Sequence, residues 1–247
     1  MKGIILAGGS GTRLRPLTTV TSKQLLPIYD KPMIFYPLDT LVQAGITEIL
    51  VIVAPDHAGD YVHILGSGKQ FGVKISYEVQ EKPEGLPQAF LIGETFIGDD
   101  SVVLILGDNL FLDSQETITQ AIASFTKGAR IFATKVENPE RFGVVEFGKD
   151  MTVKSIVEKP SHPTSNYAIT GLYIYDNSVI ERARKLVPSA RNELEITDLH
   201  NSYLASNELD VQIINGAYLD TGTFDSLYAA NVLVAERRRA HPDRTTI

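Results

Sequence analysis

Gly3-Ile4-Ile5-Leu6-Ala7-Gly8-Gly9-Ser10-Gly11-Thr12-Arg13-Leu14 decides how the rest of the chain is read. A short unbroken apolar run ending in glycines is the pattern of a parallel strand, buried on both faces under helices. Glycines at the end of such a strand let backbone amides approach a phosphate, and Arg13 adds a planar, permanently charged fork. The segment is not the dinucleotide fingerprint, because Leu14 stands where a third glycine is needed. It is not a P-loop either, because no Gly-Lys-Ser/Thr closes it. The glycines alone would serve a plain turn equally well; the arginine placed just after them favours phosphate.

Working outward, strand and helix signals alternate. Ile34, Leu38, Leu41 and Val42 recur at helical spacing, and Gly45 fits a C-terminal cap. The pattern predicts strands over Glu48–Val53, 73–79 and Val102–Leu106, with helices over 60–65 and 88–94. Alternation at this spacing implies right-handed crossovers and a mostly parallel sheet covered on both faces. The second half is less regular. Strands are expected at 130–136, 144–147, 153–157, Tyr167–Tyr175 and 211–214, and helices at 178–186, 195–205 and 223–238. Arg237-Arg238-Arg239 reads as a solvated helix end that favours the helix dipole. No linker, repeat or low-complexity stretch divides the chain, so one domain over residues 1–247 is expected.

The 23 Lys and Arg against 30 Asp and Glu give a net charge of −7, which argues against nucleic acid or an anionic membrane as partner. A phosphate ligand must then be held by local cations and amides. With no cysteine there is no disulfide, thiolate nucleophile or Cys-based zinc site. The five histidines lack metal-ligand spacing. Only Ile4 to Ala7 precede the first glycines as an apolar run, too short for a signal peptide. The longest apolar run, Ile49 to Ala54, is far short of the ~20 residues that span a bilayer. A soluble cytoplasmic protein is expected.

A second segment, Ser22-Lys23-Gln24-Leu25-Leu26-Pro27, adds Lys23 as a candidate phosphate cation; alone it would read as a surface lysine. Asp108 follows a buried strand directly, where a carboxylate suits a hard cation such as Mg²⁺; alone it would read as a strand-end turn residue. Together with the glycine loop these segments resemble the sugar nucleotidyltransferases, and within them the glucose-1-phosphate thymidylyltransferase family. The resemblance continues in order through Val79-Gln80, Gly85-Leu86, Leu106-Gly107-Asp108-Asn109, Pro139 to Val145, Glu158-Lys159-Pro160, Ser165 to Gly171, Glu193 to Asp198 and Leu219 to Thr223.

The resemblance implies a Rossmann-like three-layer α/β sandwich of the nucleotide-diphospho-sugar transferase type, with a mixed, mostly parallel sheet. It implies a nucleotide-binding half over 1–110 and a sugar-phosphate-binding half over 111–247. The implied reaction is Mg²⁺-dependent: dTTP and glucose 1-phosphate give dTDP-glucose and pyrophosphate. The same resemblance assigns catalysis to Arg13, Lys23 and Asp108, and the metal to Asp108 with Asp220. Leu6, Gly8, Gly9, Gly11, Thr12, Arg13, Gln24, Gln80 and Gly85 fall on the nucleotide. Asn109, Gly143, Glu158, Lys159, Ile169, Arg191 and Glu193 fall on the sugar phosphate.

Three positions depart from the family pattern: Asn192 for a usual glycine, Pro87 for alanine and Tyr218 for tryptophan. The resemblance also reads as a short form without the C-terminal extension of longer members, and as a homo-oligomer. A uridylyltransferase making UDP-glucose, or a non-catalytic sugar-nucleotide-binding homologue, are the alternatives.

Overall fold

The computed structural model describes residues 1–241. Strand β1 (Lys2–Ala7) is followed by short helical turns and a two-residue ribbon, β2 (Pro27–Ile28) and β3 (Lys31–Pro32), before helix α1 (Phe35–Gln43). Next come β4 (Glu48–Val53), α2 (Ala58–Leu65), β5 (Lys74–Val79), α3 (Gln88–Ile92), α4 (Glu94–Ile97), β6 (Val102–Leu106), β7 (Asn109–Leu112) and α5 (Gln115–Ala123). The second half runs β8 (Ala129–Lys135), β9 (Gly143–Phe147), β10 (Val153–Glu158), β11 (Tyr167–Tyr175), α6 (Val179–Arg184) and α7 (Ile196–Ala205). It closes with β12 (Leu209–Ile213), β13 (Ala217–Asp220) and α8 (Phe224–Ala240).

The main sheet is mixed. Its spine is β10-β9-β11-β6-β1-β4-β5, and β8 pairs with β11 and β12. β1 lies parallel to β4 and β6, and β5 lies parallel to β4. β11 runs antiparallel to β6, β8 and β9, whereas β12 rejoins β8 in parallel. Successive side chains of β1 point to opposite faces. Ile4 and Leu6 join one apolar layer with Phe90, Tyr175 and Leu199; Ile5 and Ala7 join the other with Leu38, Val51 and Tyr61. These are the two helical layers of the expected sandwich. Fully burying side chains such as Ile4 and Ile5 stabilises by about 1.5–3 kcal/mol each.

A third cluster packs Leu14, Leu26, Ile28, Met33 and Leu110 under Leu227, Ala230 and Val234 of α8. This fixes the segment after β1, together with β7, against α8. α8 starts in a capping box, where Thr223 and Ser226 satisfy each other's main-chain N–H. Its far end is not merely solvated, as the arginine run suggested. Arg237 pairs with Asp113, and Arg238 with Asp30 at 2.9 Å. The expected 88–94 helix is broken at Gly93 into α3 and α4. No helix among the described residues is long and apolar enough to cross a membrane.

Candidate functional site

Parallel strands bring their carboxyl ends to one edge of the sheet, where ligands of open α/β sheets sit. The glycine loop leaves β1 there, Gln80 follows β5, and Gly107-Asp108 follows β6. Main-chain bonds extend this edge past the strands: Gln80 N–H donates to Val53 at 2.8 Å and Gly107 N–H to Leu6 at 2.9 Å. The small β7–β13 ribbon brings in the distant carboxylate. Its antiparallel register sets Asp220 opposite Asn109. Thr221 then donates to the Asp108 carbonyl from its N–H at 3.1 Å and its hydroxyl at 2.8 Å.

Charges of both signs gather at this edge. The Lys23 side chain is only 8% exposed, and its ammonium contacts the Asp108 carboxylate. Asp220 is half-buried on the cavity wall. Burial first, then the charge of Asp108, pushes its carboxyl up, while Lys23, Arg13 and Arg141 pull it down. Arg13 stands on the short turn Thr12–Leu14. Its guanidinium and the Asp220 carboxylate flank Gly222, each 3.0 Å from where a Cβ would be. Gln24 is held by Ser22 at 3.0 Å and Tyr61 at 3.1 Å, both hydroxyls donating to its Oε1.

No group of three or more His, Cys, Asp or Glu able to hold a metal occurs among the described residues. Asp108 and Asp220 form a two-carboxylate donor set. Mg²⁺ is commonly bound through one or two carboxylates with phosphate oxygens and water completing the shell, so these residues fit it.

On one side of this edge, Gly85 adopts φ +110° and presses against the main chain of Leu194, so that a Cβ would run into it. The isolated bridge between Gly85 and Leu194 ties this loop to the other side. Pro87 has φ −61°, the angle its ring fixes, immediately before α3.

On the other side, Glu158 ends β10 and Lys159 follows at φ +41°, its Nζ 3.1 Å from the Glu158 carboxylate. Arg191 reaches Glu158 at 3.3 Å and Glu193 at 3.7 Å. Its firmest partner is Glu195, gripped through Nε at 3.1 Å and Nη2 at 2.6 Å. Burial alone would raise the Glu195 carboxyl, but hydrogen bonds from Arg191 and Ser189 and the charges of Arg191 and Lys159 outweigh it and lower it. The family glycine replaced by Asn192 corresponds to a left-handed residue, φ +60°, which Asn tolerates better than most. Tyr218 donates to Asn109 Oδ1 at 2.7 Å, and Asn109 Nδ2 donates to Asp108 at 3.0 Å.

A cavity of about 510 Å³ joins the two sides. Leu6, Gly9, Arg13, Gln24, Gln80, Gly85, Asp108, Asn109, Gly143, Glu158, Lys159, Ile169, Arg191, Glu193 and Asp220 line it. Gly8, Gly11, Thr12 and Lys23 do not. Gly8 lies beneath the Gln80 amide, Gly11 packs on Thr18 and Lys23, Thr12 opens the turn that carries Arg13, and Lys23 reaches the edge through Asp108. Three contributors escaped the sequence reading. Arg141 lines the cavity beside Asp220, and its signal was the cation in the Pro139–Arg141 turn. Tyr218 acts on Asn109, and Glu195 on Arg191, through folded contacts that no local pattern announces.

Comparison with known proteins agrees with this geometry. The nucleotidyl transferase family model matches residues 2–237. A glucose-1-phosphate thymidylyltransferase of Neisseria meningitidis is 57% identical over 93% of this chain and 81% of its own. One from Mycobacterium tuberculosis is 53% identical over 97% and 84%. A Bacillus anthracis protein provisionally assigned as a glucose-1-phosphate thymidylyltransferase, solved with sucrose, superposes with TM-score 0.89 at 45% identity, over 94% of each chain. A UDP-glucose pyrophosphorylase bound to UDP-glucose superposes with TM-score 0.84 at 26% identity, over 96% of this chain and 99% of its own. The chain belongs to the nucleotidyl transferase family and, within it, groups with the glucose-1-phosphate thymidylyltransferases.

Proposed function

We propose that this nucleotidyltransferase joins dTTP to glucose 1-phosphate, giving dTDP-glucose and pyrophosphate. The observation that carries the reading is a single cavity in which Arg13, Asp108 and Asp220 stand between a neutral wall and a wall rich in carboxylates and cations. A nucleoside triphosphate and a sugar phosphate need that order: base recognition, phosphate charge, then hydroxyls and a second phosphate. Relatives more than 50% identical carry the thymidylyltransferase name, whereas the uridylyl neighbour lies at 26%. The thymidylyl reading is therefore preferred to the uridylyl alternative. The charged groups expected of a catalyst are all present, which disfavours a non-catalytic homologue.

The reaction is an in-line displacement, in which an oxygen of the sugar phosphate attacks the α-phosphate and pyrophosphate leaves. Such transfers depend mainly on positioning and charge neutralisation. Leu6, Gly8, Gly9, Gly11 and Thr12 shape the main chain around the triphosphate, and Gln24 holds the loop. Arg13 and Lys23 stabilise charge on the α-phosphate and the departing pyrophosphate. Gln80 and Gly85 receive the base. Lys159 and Arg191 take the sugar phosphate; Glu158, Glu193, Asn109 and the Gly143 amide take hydroxyls, with Ile169 behind the ring. Asp108 and Asp220 would hold Mg²⁺, which when bound neutralises phosphate charge. Residues 1–110 then act as the nucleotide half and 111–247 as the sugar-phosphate half.

A cytoplasmic homo-oligomer belongs to the same proposal, the first because its substrates are metabolites of the cell interior. Phe224, Tyr228 and Val232 support the second: they stand exposed on successive turns of α8, opposite the buried Leu227, Ala230 and Val234. The deciding experiment is pyrophosphate release with glucose 1-phosphate against dTTP, UTP, ATP, CTP and GTP. Highest kcat/KM with dTTP is expected; a clear preference for UTP would reverse the assignment.

A further inference from the structure

The Gln80 side chain is buried, yet its two polar atoms are used unequally. Nε2 donates to Gln88 Oε1 at 2.6 Å. Oε1 accepts nothing among the described residues and lies over Gly8, where a Cβ would run into it. An amide can in principle sit either way round. Here the surroundings forbid it. Gln88 Oε1 also accepts from the main-chain N–H of Glu84 at 3.1 Å, and Gln88 Nε2 donates to the Glu84 carboxylate at 2.9 Å. A main-chain N–H only donates and a carboxylate only accepts, so the Gln88 amide has one orientation. Its oxygen faces Gln80, and only the NH₂ end of Gln80 can meet it.

We propose that Gln88, held by Glu84, is a positioning residue that fixes the hydrogen-bonding polarity of Gln80 and thereby excludes cytosine from the base site. The proposal rests on the reading that Gln80 and Gly85 receive the base. Gln80 then offers an acceptor, and the Gly85 N–H, which donates to nothing among the described residues, offers a donor. Thymine and uracil match this pair, with N3–H beside a carbonyl oxygen. Cytosine carries a lone pair at N3, which would face the lone pairs of Gln80 Oε1. Turning Gln80 over to suit cytosine would set two amide oxygens against each other at Gln88. A buried polar group left without its partner is the device by which sites reject close analogues most strongly. Gln88 is absent from the cavity wall, so it acts through Gln80. Pro87 fixes the backbone just before it.

The test compares kcat/KM for dTTP and dCTP in the wild type, Gln88→Met, Gln88→Ala and the double variant Glu84→Gln/Gln88→Glu. Removing the acceptor with Met or Ala should lower the dTTP:dCTP ratio by at least about tenfold. The change should come through improved use of dCTP, with the KM for glucose 1-phosphate unmoved. Glu at position 88, with Gln at position 84 so that no two carboxylates meet, keeps an acceptor facing Gln80 and should retain the ratio. Position 88 is half-buried on the first turn of a helix, where Ala is the best helix former, so Gln88→Ala remains informative should Gln88→Met fail to fold. An unchanged ratio in either variant overturns the proposal. So does an equal loss in the double variant, which would make the role one of shape. A wild-type enzyme that does not prefer dTTP to dCTP would instead overturn the assignment of the base site itself.

Discussion

The base-side and sugar-side walls of one cavity are built by opposite means. Gln80 and Gly85 bring no formal charge; they rely on the direction of hydrogen bonds and on main chain fixed by adjacent parallel strands. Glu158, Lys159, Arg191 and Glu193 bring four charges, and these are already paired with one another and with Glu195. The neutral wall can discriminate through polarity, which salt scarcely screens. The charged wall attracts phosphate, but part of its charge is committed beforehand, and half-exposed ion pairs are worth little in water. Its pairing orients Arg191 before substrate arrives, so less side-chain freedom is lost on binding. Between the walls stand Arg13, Lys23, Asp108 and Asp220, which belong to neither.

That middle ground should give the largest effects. Asp108→Asn, assayed by pyrophosphate release at saturating Mg²⁺, is expected to lower kcat by about a thousandfold or more, since a lost metal ligand removes charge stabilisation where phosphate reacts. Near-wild-type turnover would remove Asp108 from the metal assignment. Arg13→Ala should lower kcat by about a hundredfold, with a much smaller change in the KM for dTTP, if its contacts strengthen in the transition state. A raised KM with kcat unchanged would make Arg13 a uniform binder.

How much of this contrast was legible beforehand differs between the walls. β1 and β6 were readable because two-sided burial leaves unbroken apolar runs, and Asp108 was readable as a strand-end residue, whereas Leu6 and Gln80 came only with the family resemblance. The β7–β13 ribbon was not. Each strand is four residues long, and among the described residues each pairs with a strand from the other half of the chain rather than with a neighbour. Without that register, nothing in the sequence brings Asp220 to Asp108 except the family resemblance. α5 also escaped notice, because Glu116, Thr117, Gln120 and Ala123 dilute its apolar stripe with exposed surface. The grip of Glu195 on Arg191 spans only four positions of an irregular loop, yet its meaning depends on Glu158 arriving from β10.

The charged wall is tested next. Lys159→Ala and Arg191→Ala should each raise the KM for glucose 1-phosphate by about tenfold, with less change for dTTP, as expected for a lost hydrogen bond to a charged group. The reverse pattern would move these residues to the nucleotide and dissolve the two-wall division. Glu195→Gln, which weakens the grip on Arg191 without removing the cation, should give a smaller increase for the same substrate.

An effect on stability rather than on catalysis lies beneath the sugar wall. His200 is fully buried on α7, the helix that begins just after Glu195. Burial lowers its pKa from the ordinary 6.5 to about 3. Tyr175 shares a 2.6 Å hydrogen bond with its Nε2, Tyr173 packs 5.2 Å from its ring centre, and its Nδ1 finds no partner among the described residues. The unfolded chain therefore takes up a proton near pH 6.5 that the folded protein refuses until about pH 3. The stabilising effect of a neutral His200 is complete above the unfolded pKa and is lost as pH falls through that window, by about 1.4 kcal/mol per unit. Denaturant titrations from pH 7 to 4 should show this slope. His200→Phe should flatten it, while leaving the Tyr175 hydroxyl unpaired at a cost of about 1–3 kcal/mol at pH 7. The double variant His200→Phe/Tyr175→Phe removes both polar groups together, so it should regain most of that loss and keep the flat profile. If the slope survives in the double variant, His200 is not its source, and the acid sensitivity must come from the carboxylates of the wall above it.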